Sequence, residues 1–274
     1  MPDIAAYKVG QIIASFAGRV TQTRRDALYE QAEQVVGAGV DLTADTLPLP
    51  NNAALPNPLV ALPKLLNQSF DAYTACIHAD LHLGNVLVEP ESSNIHLIDF
   101  VNAREDHVLR DFLNLELAIV NRLIPAALDV AGLSPKRIIP IYERLHCVLR
   151  YPDQISPPPG LEKPFAMLQI IREAAAHYLC KQGEWREYYA GLVFYLLGSL
   201  RYGDLNKLPG AKQTAFWGAA MLNLLEGEVS CDEFGDGRDD KTPSPPPTRR
   251  RTKAEKEIVL IIAAGAFALG GQEM

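Results

Sequence analysis

The chain has 274 residues, 48% apolar and 22% charged, enough for one large or two modest domains around a sizeable core. A net charge of −7 and a sequence pI near 5.4 argue against non-specific nucleic-acid binding, which draws on an excess of Lys and Arg. The four cysteines, Cys76, Cys147, Cys180 and Cys231, are widely spaced without a C-x-x-C pair, and no charged-then-apolar leader precedes Tyr7, so reduced thiols in a cytoplasmic setting are expected.

In chain order, residues 4–36 set Ile12, Ile13, Phe16, Val20, Leu28, Val35 and Val36 among Ala, Gln, Arg and Glu. That spacing predicts one or two amphipathic helices, stopped by Gly37-Ala38-Gly39. No strand followed by a glycine-rich turn is expected there, and Lys8 is a weak substitute for a strand-borne lysine. Residues 41–58, with Pro48, Pro50, Pro56, Pro58 and Asn51-Asn52, predict an extended connector. Helical spacing resumes from Leu59 to Tyr73 through Leu62, Leu65, Leu66 and Phe70.

The most informative stretch is His78-Ala79-Asp80-Leu81-His82-Leu83-Gly84-Asn85-Val86-Leu87, followed by His96-Leu97-Ile98-Asp99-Phe100. Val86–Val88 and Ile95–Ile98 are short β-prone runs joined by the turn-rich segment 89–94, which predicts a β-hairpin. Asn85 precedes its first strand and Asp99 follows its second. An antiparallel return brings both to one end, where an amide oxygen and a carboxylate can share a hard cation. Asp80 lies on the loop entering the hairpin, and Gly84 permits a tight turn or a close backbone approach. His96 alternates with Ile95 and Leu97 and reads as a solvent-facing strand residue. A rival reading sets His78, Asp80 and His82 on one face of an extended strand around a zinc ion, but leaves Gly84-Asn85 and Ile98-Asp99-Phe100 unexplained.

The pattern H-x-D-x-H-x-G-N followed by I-D-F resembles the catalytic and metal-binding loops of aminoglycoside phosphotransferases and choline kinases, within the protein-kinase-like superfamily. The resemblance implies an ATP- and magnesium-dependent phosphotransferase. Asp80 would be the base or orienting group for an acceptor hydroxyl, with His78 beside it in the catalytic loop, more a loop-fixing residue than a proton carrier. Asn85 and Asp99 would bind magnesium bridging the nucleotide phosphates, and His82 would stand near those phosphates. Arg110-Asp111-Phe112 resembles a downstream segment whose Asp supports the catalytic loop. The sequence also resembles the kinase-like module called ternary complex associated domain 9, found in bacterial conflict systems.

After the motif, Leu113–Leu128, Pro140–Leu149, Phe165–Leu179, Trp185–Leu200 and Thr214–Leu225 predict about five helices, with Pro157-Pro158-Pro159-Gly160 a rigid loop between two of them. Trp185, Tyr188, Tyr189, Phe194, Tyr195 and Trp217 read as core rather than as a substrate box. The expected class is α+β, mostly α: a protein-kinase-like large lobe with a small catalytic hairpin and no recognisable small lobe. The expected division is a helical segment and connector over 1–58, the lobe over 59–231, a charged, proline-rich linker over 232–257 and an apolar tail over 258–274. Residues 258–271 are too few to cross a bilayer, so membrane contact is not expected. The acceptor is a small molecule or a protein. The chain is then a fragment of a longer kinase, a pseudokinase that senses nucleotide or acts as a scaffold without turnover, or a half completed by another polypeptide.

Overall fold

A nine-residue strand, β4 (Ser69–Ile77), leads directly into the His78 loop and is hydrogen-bonded on both sides. In the computed structural model, which describes residues 4–8, 22–37, 39–89, 91–92, 94–148 and 156–227, the chain is α+β and mostly helical, with small antiparallel sheets. β1 (Ile4–Lys8) pairs with the first half of β4, Ile4 opposite Tyr73 and Lys8 opposite Ser69. β7 (Arg104–His107) pairs with the second half, Ile77 opposite Arg104. Two further hairpins are β2 (Thr46–Pro48) with β3 (Ala54–Pro56), and β5 (Val86–Val88) with β6 (Ile95–Leu97).

Three sequence expectations change. Residues 4–8 form a strand, not helix, because pairing with β4 overrides the helical preference of Ala5 and Ala6. Gln22–Val36, here α1, is helical as expected and buries Leu28, Ala32 and Val35 along one face. It ends at Gly37, whose φ of +86° is the left-handed stop conformation. The expected helix over Leu59–Tyr73 ends early: α2 spans Pro58–Leu66, Asn67 caps it, and Ser69 onward is strand, where Phe70, Tyr73, Thr74 and Ile77 suit a sheet flanked on both sides. The connector over 41–58 carries the β2–β3 hairpin, with Leu47 and Leu55 buried. Asn57 fixes it to α2: its Oδ1 accepts the Leu59 N–H at 3.0 Å, and its Nδ2 donates to the carbonyls of Leu42 and Ala44 at 2.8 and 2.9 Å. The Ile12, Ile13, Phe16 and Val20 stretch, Cys231, the linker and the apolar tail lie outside the described residues.

The remaining helices follow the predicted periods. They are α3 (Arg110–Ala118), which runs through a π-helical turn at Ile119–Leu123 into α4 (Ile124–Val130), then α5 (Ile138–Val148), α6 (Glu162–Ala175), α7 (Arg186–Ser199) and α8 (Ala211–Leu225). α7 is buried nearly all round, so its aromatic residues Tyr188, Tyr189, Phe194 and Tyr195 are core, as is Trp217 on α8. Gly218 allows α8 close to α5, since a Cβ there would stand 3.0 Å from the Tyr142 ring.

One ionic group lies within this apolar packing. Arg172 of α6 and Glu116 of α3 are fully buried and paired at 2.7 and 3.2 Å, and the Tyr188 hydroxyl donates to Glu116 at 2.6 Å. The Arg172 guanidinium also lies over the rings of Tyr142, Tyr189 and Tyr188. Burial works most strongly against its charge, but the charge and hydrogen bonds of Glu116 together with Tyr189 and Tyr188 outweigh it and hold the guanidinium more firmly protonated than usual. Burial, with Glu116 adding, pushes the Tyr142 and Tyr188 hydroxyls well above their ordinary range. The cluster ties α3, α5, α6 and α7 together, and α3 is the helix that supports the His78 loop.

Candidate functional site

The loop from His78 to Asn85 is built on an anchor at the start of α3. Asp111 accepts the His78 N–H at 2.8 Å and the Ala79 N–H at 2.9 Å, one on each carboxylate oxygen. Burial pushes its carboxyl up against these two donors. The two bonds hold Ala79 at φ +65°, a left-handed conformation that a residue with a Cβ seldom takes. This turn throws Asp80 outward at the end of β4.

His78 is buried. Its Nε2 meets the Ile98 carbonyl at 2.8 Å and its ring lies 4.7 Å from that of Phe100. A carbonyl only accepts, so Nε2 carries the proton, and His78 clamps the loop to the segment that holds Asp99. The left-handed Ala79 also breaks the alternation that the zinc reading requires, since His78 turns inward. Among the described residues no three His, Cys, Asp or Glu side chains converge on one point.

Asp80, Asn85 and Asp99 do come to one end of the β5–β6 hairpin. Asn85 is buried, its Nδ2 donates to the Asp80 carbonyl at 3.0 Å, and its own carbonyl accepts the Ile98 N–H at 3.1 Å. With Nδ2 engaged, Oδ1 is the end of the amide left to bind a ligand. Asp99 is exposed, takes φ +65°, and has no hydrogen-bond or ion-pair partner for its carboxylate among the described residues. Among the described residues, the half-buried Asp80 has one hydrogen-bond partner for its carboxylate, the amide of Asn102 at 3.5 Å. One free amide oxygen and one free carboxylate suit magnesium, which keeps waters and completes its shell with phosphate oxygens instead of an all-protein cage.

His82 caps the short turn Leu83–Asn85, its Nδ1 accepting the Gly84 N–H at 3.0 Å, and its ring is exposed beside the pair. Gly84 has an ordinary φ and is needed for space: a Cβ there would stand 3.0 Å from His82 Cε1. His96 is exposed, as expected, and meets Glu89 at 3.1 Å.

Two features escaped the sequence reading. Tyr202, after α7, is pushed up by burial and by the charges of Asp204 and Asp80. Asp204 in turn pairs with Arg122 at 2.6 Å, and Arg122 sits on the π-helical turn, a distortion often found at functional sites. The second is β1: Lys8, opposite Ser69, lies at the far end of β4 from His78, about 25–30 Å along the strand.

A family model described as ternary complex associated domain 9 matches residues 5–201. The chain belongs to the ternary complex associated domain 9 family. No curated protein and no solved structure matches it. The domain-9 match takes in most of β1 and the connector as well as the hairpin, so Asp80, Asn85, Asp99 and Asp111 all fall within it. Among the described residues of this domain-9 protein, no single helix is long and apolar enough to cross a membrane.

Proposed function

We propose that this domain-9 protein is a magnesium- and ATP-dependent phosphotransferase of the aminoglycoside phosphotransferase and choline kinase type, working in the cytoplasm on a hydroxyl of a small molecule or protein. The observation that carries the reading is the convergence of Asp80, Asn85 and Asp99 at one end of the hairpin, each with oxygen atoms free for a ligand. Magnesium bound there would neutralise the phosphate charge and align the terminal phosphoryl group.

The chain's own residues have separate tasks. Asp99 and the oriented Oδ1 of Asn85 would hold the metal, and Asp80 would accept or orient the proton of the acceptor hydroxyl. His78 and Asp111 fix the loop without touching the reacting atoms. His82 would stand near the phosphates, while Leu87 and Ile98, both exposed, would offer an apolar surface for a base. The test is phosphate transfer by the chain, joined to whatever sequence lies upstream in its gene, compared with Asp80→Asn. Equal turnover by the two would remove Asp80 from the reaction.

The position of Lys8 favours a second reading. Lys8 is in register with Ser69, at the far end of β4 from the His78 loop, which supports a reading in which β1 is not the source of the cation that kinase-like enzymes place on the nucleotide. The alternative is a nucleotide-sensing or scaffold module without turnover, or a half that a partner chain completes.

A further inference from the structure

A cavity of about 270 Å³ lies between the first residues of β4 and the segment that leads into α7. It is at the opposite end of β4 from the His78 loop, about 25–30 Å along the strand. Three carboxylates, Asp71, Glu184 and Glu187, and two cations, Lys181 and Arg186, line it together with Gln68 and Phe70. Lys181 pairs with Glu184 at 3.6 Å, and Arg186 with Glu226 at 3.1 Å. The carboxylates of Asp71 and Glu187 are left over.

Glu187 is 6% exposed, yet its charge is not met. Its Oε2 accepts the Cys180 N–H at 3.3 Å. Its Oε1 stands 2.7 Å from His107 Nε2 but makes no bond of hydrogen-bond geometry. His107 Nδ1 accepts the Leu109 N–H at 3.2 Å, so that nitrogen bears no proton and the ring brings no full charge to Glu187. Among the described residues no lysine or arginine nitrogen comes within ion-pair distance of it. The first turn of α7, where Glu187 sits, offsets part of the charge through its N–H dipoles. A carboxylate withdrawn from water without a counter-charge is costly, so the fold leaves a place for a cation. Two more acceptors share the cavity: the exposed Asp71 carboxylate, and Gln68 Oε1, which is buried without a hydrogen-bond partner among the described residues. Burial, with the charges of Glu187 and Asp71 adding, also pushes the Cys180 thiol up.

The unspent groups are all acceptors, and their complement is a charged donor. We propose that this cavity binds a primary ammonium group on a short alkyl stem, the ammonium held by Glu187, Asp71 and Gln68 Oε1 and the stem lying against the half-buried Phe70. An ammonium has three donors for these three acceptors. The volume falls just below the usual range of small-molecule sites, which suits a compact amine or the tip of one lysine side chain. The site is separate from the hairpin end, and nothing in it rests on the phosphotransferase reading.

The experiment is NMR titration of the labelled full chain with 1,4-diaminobutane, with Nα-acetyl-lysine methylamide and with n-butanol. Both amines should give saturable shifts at amides of residues 68–71 and 180–187, and butanol, which has the stem without the charge, should not. The tighter of the two amines names the source, a free amine or the lysine of a partner chain. Glu187→Gln should weaken binding by about tenfold or more, and Asp71→Asn, a change at an exposed position, by about threefold. If Glu187→Gln does not fold, Asp71→Asn decides. Equal shifts with butanol, no saturable shift with either amine, shifts elsewhere on the molecule, or wild-type affinity in Asp71→Asn would each overturn the proposal.

Discussion

The Asp111 carboxylate accepts the backbone N–H of His78 on one oxygen and of Ala79 on the other, across 33 and 32 residues of sequence. This contact links the helical body to the loop that carries Asp80. It also explains how Ala79 is held in a conformation that its own side chain opposes.

Asp111→Asn should therefore loosen the loop. The amide keeps one acceptor and turns donors toward the other N–H, leaving it unpaired in a buried place. The expected loss is about 2–3 kcal/mol, or roughly 5–10 °C in Tm for a domain of this size. Thermal melts followed by circular dichroism measure it, and an unchanged Tm would mean that the anchor is not made in solution.

Breaking the buried pair should cost more. Glu116→Gln strands the Arg172 charge in the core, with an expected loss of about 3–5 kcal/mol. Replacing the group together, Glu116→Leu with Arg172→Met and Tyr188→Phe, removes the charges and the hydroxyl and should recover much of that loss. Urea titrations of the three proteins decide the point. A triple variant weaker than Glu116→Gln would show that the pair is itself a net stabiliser.

At the hairpin end, two carboxylates should respond differently to the same substitution. Asp99→Asn should weaken magnesium-dependent nucleotide binding, because an amide is a poor substitute for a carboxylate on a divalent ion. Asp80→Asn should leave binding nearly intact and lower turnover of the complete enzyme by on the order of 10² or more. If both substitutions change binding alone and to the same extent, the division of roles between them is wrong.

Gly84→Ala should displace His82 without unfolding the chain. The new methyl would stand 3.0 Å from His82 Cε1, so the ring swings away and the Gly84 N–H loses its acceptor. The cost should be about 1 kcal/mol. A changed His82 imidazole signal in NMR spectra, beside unchanged signals for His96, reports the movement; an unmoved His82 would assign the glycine another purpose.

The hairpin was legible because Val86–Val88 and Ile95–Leu97 are short β-prone runs around a turn-rich spacer, and spacing alone then puts Asn85 and Asp99 together. The helices after Leu113 were legible from their apolar period. β1 was not, since Ile4-Ala5-Ala6-Tyr7-Lys8 has no strand pattern of its own and is decided by its register with β4. The left-handed Ala79 was hidden for the opposite reason: alanine disfavours that conformation, and Asp111, far along the chain, imposes it. Arg172 and Glu116 are charged letters 56 residues apart, and nothing local marks them as buried partners.

The central claim, that Asn85 and Asp99 hold magnesium against a nucleoside triphosphate, is tested most directly by NMR titration of the labelled full chain with ATP, with and without magnesium. The wild type and Asp99→Asn should be compared. The account predicts magnesium-dependent shifts confined to amides of residues 80–85 and 98–102, with an affinity of roughly millimolar, lost in Asp99→Asn. Shifts that ignore magnesium, persist in Asp99→Asn or fall elsewhere on the molecule would contradict it.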